Sequence, residues 1–300
     1  MIKIISFFII ITVLLFFNFS KNKISETYLN LNPHNNSTLE NNVFNDFFDK
    51  IIYINLDHRK DRKEQILNEF NKMDINENKI HRIDAVHEKY NGHIGCAKSH
   101  IKALNYAKEN NYKNVIIFED DFIFTKTKED INNKINKFLK EYGDNWDVVQ
   151  LTSHYVKFRD GTTIPNKINY ENNNKNNNQN NNENNRKNDV SLINKATTSS
   201  SYMINNKFYD KLLNNLNSSV EKMEEEMVEF NKKNNNIKIK KKSTNYALDQ
   251  HWNTLQQNYN WYLFYPFLGT QGGEAGKSSI MSNSLEGFTT NNIRFFNLKL

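Results

Sequence analysis

Ile116-Ile117-Phe118-Glu119-Asp120-Asp121-Phe122-Ile123-Phe124 sets three consecutive carboxylates between apolar residues of the kind that fill a buried strand. Ionised acids are costly to bury, so the triplet needs a partner. Read as one continuous strand, the stretch projects Glu119 and Asp121 from one face and Asp120 from the other. Two carboxylates on one face make an oxygen chelate suited to a hard divalent cation such as Mg²⁺ or Mn²⁺, which keeps positions open for substrate phosphates. The competing reading is a strand that runs out into an acidic turn, with Asp120 or Asp121 capping a helix that starts near Thr127.

Upstream, Ile51-Ile52-Tyr53-Ile54-Asn55-Leu56 is an apolar strand that passes through Asp57-His58 into a helix with Arg59 and Arg62 in its first turn. Strand-to-helix turns at the carboxyl edge of a sheet are where α/β folds bind nucleotides. The pattern predicts strands over 50–56, 80–84, 114–119 and 147–151, alternating with helices over 59–73, 94–110 and 128–142. Such alternation implies an α/β fold around a mostly parallel sheet. After residue 151 the pattern breaks. The tract 171–188 is almost all Asn and too polar to bury anything, and a second insert over 220–242 carries the opposite charge runs Glu224–Glu226 and Lys240–Lys242. Between them, 196–204 reads as a strand and 206–216 as a helix.

A chain of 300 residues with 37% hydrophobic content can bury a sizeable core. The formal charge of +6 comes from dispersed lysines with no nucleic-acid motif, which argues against a nucleic-acid partner. The single cysteine, Cys96, is expected to exclude an intramolecular disulfide and any cysteine-based zinc site, and reads as a small buried residue. At the start of the chain, Ile4–Phe17 is apolar except for Ser6 and Thr12. Extended to Phe19 it approaches the ~20 residues that span a bilayer, and Phe17-Asn18-Phe19-Ser20 lacks a small-x-small cleavage pattern. The expectation is an uncleaved signal-anchor over 1–20, a polar stem over 21–46 and a catalytic domain over 47–300. Triplets at Asn35, Asn36 and Asn217 fit the N-glycosylation pattern.

Two further blocks complete the set. Gly92-His93-Ile94-Gly95-Cys96-Ala97-Lys98-Ser99-His100 opens a helix, and Gln271-Gly272-Gly273-Glu274 leads to Ser278-Ser279-Ile280. In wording and order these blocks, with Asn55–Arg62 and Glu119–Asp121, resemble glycosyltransferase family 25, the lipooligosaccharide and procollagen galactosyltransferases. The resemblance covers 50–151 well and 245–280 loosely. It implies a GT-A-type nucleotide-sugar-binding fold, a UDP-sugar donor, a Mn²⁺ or Mg²⁺ cofactor, transfer of a hexose to a hydroxyl of a glycan or protein, and a lumenal catalytic domain, secreted if the leader is cleaved. By residue it implies Glu119 and Asp121 at the metal, and Asn55, Arg59, Arg62, His100 and Asp120 at the donor.

Two carboxylates compete for the role of general base. Asp249, in Tyr246-Ala247-Leu248-Asp249-Gln250-His251-Trp252, corresponds to an acceptor-side Asp of the family, against a plain reading as an N-terminal helix carboxylate. Glu274 in the glycine-rich loop is the rival. His100 either contacts donor phosphate or holds the acidic triplet in place, and His251 reads as a packed helix histidine. No nucleophile elbow, zinc-protease helix or phosphate-binding Gly-Lys loop occurs. The alternative to an enzyme is a degenerate family member that binds sugar or protein without turnover.

Overall fold

A computed structural model of the chain describes residues 42–165, 189–234 and 244–272. The strands are β1 (Lys50–Asn55), β2 (Ile80–Asp84), β3 (Asn114–Glu119), β4 (Phe122–Phe124), β5 (Val148–Gln150), β6 (Tyr155–Phe158), β7 (Thr163–Pro165), β8 (Val190–Ala196), β9 (Ser201–Asn205), β10 (Trp261–Phe264) and β11 (Gly269–Gln271). All but β4 and β11 form one sheet, in the order β2-β1-β3-β9-β5-β10-β8-β6-β7. The β2–β1, β1–β3 and β5–β10 pairs are parallel, and β9 runs antiparallel to both β3 and β5. The architecture is therefore mixed α/β with a largely parallel centre, into which one reversed strand is inserted.

The strands at the centre are apolar on both faces because helices cover both. Ile52, Ile54, Val115 and Ile117 join the core beneath the helices Gly92–Glu109 and Tyr209–Lys233, whereas Ile51, Tyr53, Ile116 and Phe118 join the core beneath Lys60–Lys72 and Lys128–Tyr142. Odd and even positions thus divide between two cores, as the period of a strand requires.

Several expectations are corrected. The folded part starts before residue 47: Asn42 caps the helix Val43–Asp46, and Val43 and Phe44 are buried. Residues 220–233 are no loop insert but the continuation of the helix Tyr209–Lys233. Leu212, Leu216, Val220 and Met223 recur at helical spacing and are buried, which carries the helix past 216. The sequon at Asn217 falls inside this helix, with Ser219 buried and its hydroxyl donating to the Tyr246 carbonyl at 2.6 Å. The strand expected over 196–204 is two strands, β8 and β9, joined through Thr198 at φ 75°. Among the described residues no helix is long and apolar enough to cross a membrane. The leader, most of the stem, the Asn tract, the Lys240–Lys242 run and Glu274–Ile280 lie outside the described residues.

Candidate active site

The acidic triplet is not one strand. β3 ends at Glu119, Asp120 and Asp121 form a two-residue turn, and β4 leaves to pair antiparallel with β11. Glu119 and Asp121 therefore do not share a strand face, and the helix at Lys128 is capped by Thr127, whose hydroxyl accepts from the Asp130 N–H at 3.2 Å. Each acid has its own surroundings. Glu119 Oε1 accepts from Ser199 Oγ at 2.5 Å and lies 3.3 Å from His100 Nε2. His100 is fully buried, and its Nδ1 is 3.0 Å from the Tyr202 hydroxyl, so an imidazole with its proton on Nε2 satisfies both partners. Asp120 accepts from Asn55 Nδ2 at 2.7 Å and from Arg62 Nη1 at 3.0 Å. The same Nη1 reaches Asp121 Oδ2 at 3.1 Å, and Gln271 Nε2 reaches that oxygen at 3.3 Å. Asp121 Oδ1 is buried with no hydrogen-bond partner among the described residues.

Two carboxylates share one guanidinium and a third lies close by, which leaves an excess of negative charge. Burial, reinforced by Glu119, pushes Asp121 up to about 7, and burial also raises Asp120 against the pull of Arg62. Desolvation acts on the half-buried Glu119 too, yet the hydrogen bond from His100, with help from Ser199 and Arg62, holds it below the usual carboxylate range.

The triplet opens on a cleft of about 150 Å³ at the carboxyl ends of β1, β2 and β3, walled by Leu56, Val86, His87 and Lys89 opposite Glu119 and Asp121. This is where an α/β sheet offers a ligand crevice. The wall formed by 85–89 is tied to the helix Gly92–Glu109. Ser99 Oγ accepts from the Val86 N–H at 2.8 Å and donates to the Gly95 carbonyl at 2.6 Å. A Cβ on Gly95 would come within 2.5 Å of the Val86 carbonyl oxygen, so only glycine lets helix and wall approach this closely. Gly95→Ala is expected to cost about 1–3 kcal/mol through overpacking. A thermal melt checks the effect.

Asp249 stands on the other side of the loop that joins β8 to β9. Its Oδ2 accepts from the Thr198 N–H at 2.9 Å, and Thr198 Oγ1 donates to Gln271 Oε1 at 2.9 Å. Through Gln271 this chain of contacts reaches Asp121, so the loop links the candidate base to the acidic turn. Asp249 also lies close enough for its charge to act on Cys96 and His154.

The structure gathers most of the residues expected at the site, though with altered roles. Arg62, His100, Glu119, Asp120 and Asp121 line the cleft. Asn55 does not: its amide nitrogen holds Asp120 and the Arg59 carbonyl, and its Oδ1 accepts from Arg82 Nε at 3.2 Å, so it is a positioning residue. Arg59 turns to Asp61 at 2.7 Å, an ion pair that holds Asp61 down at about 2. His251 packs against Tyr246, consistent with a helix histidine. Cys96 packs partly buried against the core as expected, but the expected exclusion of a cysteine-based zinc site is revised, because its Sγ stands within 4.8 Å of ligand atoms of His100 and Glu119. It is half-buried in the cleft wall, with Sγ 3.9 Å from Glu119 Oε1, and burial together with Glu119 pushes its thiol well up. Thr198, Ser199 and Tyr202 carry no motif of their own and are placed by tertiary pairing alone.

The donor set suits a divalent cation, because the turn has surplus negative charge and no proton donor among the described residues meets the buried Asp121 Oδ1. The one trio of ligand-type atoms within 4.8 Å of one another among the described residues is that of Cys96, His100 and Glu119.

Residues 90–229, just under half of the chain, match the model of glycosyltransferase family 25 (LPS biosynthesis protein). Among solved structures, A197 from STIV is similar at 10% identity over 75% of this chain and 86% of that one, with a TM-score of 0.37. A glycosyltransferase involved in the glycosylation of the major capsid of PBCV-1 is similar at 7% identity over 57% of this chain and 65% of that one, with a TM-score of 0.32. A mannose-1-phosphate geranyltransferase from Thermus thermophilus follows at 7% identity, 72% of each chain and a TM-score of 0.34. Likenesses this shallow carry no argument about the reaction. No curated relative matches the chain.

Proposed function

We propose, from the premise that this chain is a glycosyltransferase whose residues 90–229 match family 25, that it moves a hexose, galactose or glucose, from a UDP-sugar to a hydroxyl of a glycan or protein with inversion, on a GT-A-type fold. The observation that carries this reading is the acidic turn lining the cleft, with an Asp121 oxygen that meets no donor among the described residues. Asp121 and Glu119 would hold a divalent cation, which when bound supplies positive charge to the leaving diphosphate. Arg62 and Asn55 fix the turn through Asp120 and through Oδ2 of Asp121. His100 and Ser199 keep Glu119 ionised, and Asp249, held by Thr198, takes the proton of the acceptor hydroxyl.

Full-length protein assayed with Mn²⁺ and each UDP-sugar in turn tests the proposal. UDP release should depend on one UDP-hexose and on acceptor, stop in chelator and return with Mn²⁺. Turnover undiminished by chelator would remove the metal, and donor binding without UDP release would favour a non-catalytic sugar-binding module. The apolar leader is proposed to keep the enzyme on a membrane with the catalytic part lumenal. Full-length protein is accordingly expected in the carbonate-resistant membrane pellet. An N-terminus beginning near Lys21 would make the leader a cleaved signal.

A further inference from the structure

Cys96 and His100 lie four residues apart on the helix Gly92–Glu109, so they share a face, and that face meets Glu119 at the end of β3. Glu119 Oε1 is 3.9 Å from Cys96 Sγ and 3.3 Å from His100 Nε2, and the three ligand atoms fall within 4.8 Å of one another. A tetrahedral zinc with Zn–S near 2.3 Å and Zn–N or Zn–O near 2.0–2.1 Å has ligand-to-ligand edges of roughly 3.3–3.7 Å. Both measured edges are within a few tenths of an ångström of those values. The outer supports are also in place. The Tyr202 hydroxyl at 3.0 Å from Nδ1 fixes the ring of His100, and Ser199 Oγ at 2.5 Å fixes Glu119. Asp121, only 6% exposed, lines the same cleft, and its Oδ1 meets no hydrogen-bond donor among the described residues, an independent polar group suited to a cation.

We propose that Cys96, His100 and Glu119 form a site for a borderline-soft divalent cation of the zinc type, with the fourth position open to the cleft. A sulfur, nitrogen and oxygen donor set favours Zn²⁺ or Co²⁺ over Mg²⁺ and Mn²⁺. Binding takes Cys96 as thiolate, releasing its proton to solvent. His100 binds through Nε2, with its ring proton moved to Nδ1 and donated to Tyr202. Glu119 is shared with the hard cation of the acidic turn, so the two ions compete and Zn²⁺ inhibits Mn²⁺-supported hexosyl transfer. Only this inhibition rests on the transferase reading; the binding stands without it.

The test is a titration of full-length protein with Co²⁺, without donor or acceptor. The chain has one cysteine, so a thiolate-to-cobalt charge-transfer band in the near ultraviolet reports Cys96 alone. The band should saturate at one equivalent, appear with visible bands of four-coordinate intensity, and bleach on adding Zn²⁺. Cys96→Ser should lose it and bind Co²⁺ at least tenfold more weakly, and His100→Gln should show a comparable loss of affinity. A readout without substitution is the rate of Cys96 modification by a thiol reagent, which Zn²⁺ should slow at least tenfold. Co²⁺ bound with no thiolate band, an unaltered spectrum in Cys96→Ser, or unslowed thiol modification would each overturn the site.

Discussion

Asp121→Asn is expected to lower kcat by roughly 10²–10³-fold, the range for removing one preorganised charge-stabilising group, while the protein stays folded. Asp121 spends Oδ2 on Arg62 and Gln271, but no proton donor among the described residues meets its buried Oδ1, which leaves that oxygen for a bound cation. The same substitution has an opposite signature in stability. In metal-free protein the carboxyl is raised to about 7 from an ordinary 3.8, so the folded state keeps a proton that the unfolded chain gives up. Stability must then fall as pH rises through the window between these values. Asn carries no such proton, so metal-free Asp121→Asn should lose less stability than wild type between pH 4 and pH 7. Melts across that range, paired with turnover assays, check both halves. A variant that keeps wild-type kcat would remove Asp121 from the reaction.

Arg62→Ala is expected to be the most destabilising single change at the site. The guanidinium is buried and bridges Asp120 at 3.0 Å and Asp121 at 3.1 Å. Removing one partner of a buried ion pair strands the others, at about 3–5 kcal/mol, which for a domain of this size lowers the melting temperature by roughly 10 °C. The cost lies in the two stranded carboxylates, so adding Asp120→Asn and Asp121→Asn to Arg62→Ala should restore much of the loss. Chemical denaturation of the single and triple variants decides the matter. A triple variant no more stable than Arg62→Ala would mean that lost side-chain packing, not charge, sets the penalty.

The first half of the domain was legible because its signals are local. β1, β2, β3 and the helix Lys128–Tyr142 follow from their apolar period, and the observed bounds lie within a residue or two of those predicted. The second half was not. β6, β7, β10 and β11 are three or four residues long and are defined by distant partners rather than by their own pattern. The same cause explains the misread triplet. Alternation carried the strand through Glu119 to Phe124, but Gly269–Gln271 pairs with Phe122–Phe124 and draws the chain into a turn at Asp120 and Asp121. The motifs named the acids, while only the tertiary pairing shows that Glu119 faces Cys96 and His100 and Asp121 faces Arg62 and Gln271. The four-residue spacing of Cys96 and His100 was visible in the sequence; the approach of Glu119 to that helix face was not.

The reversed strand β9 also fixes an order of assembly during synthesis. Once residue 124 has left the ribosome, β2, β1 and β3 can already pair, but the far edge of β3 has no neighbour until Ser201–Asn205 emerges. An open apolar edge of this kind invites pairing with another nascent chain. The loop that brings Thr198 and Ser199 to the acids arrives with β9, and Asp249 and Gln271 arrive later still. A chain stalled before β9 would carry the acidic turn without the groups that hold it, so translation speed between β3 and β9 bears directly on the yield of correctly folded enzyme.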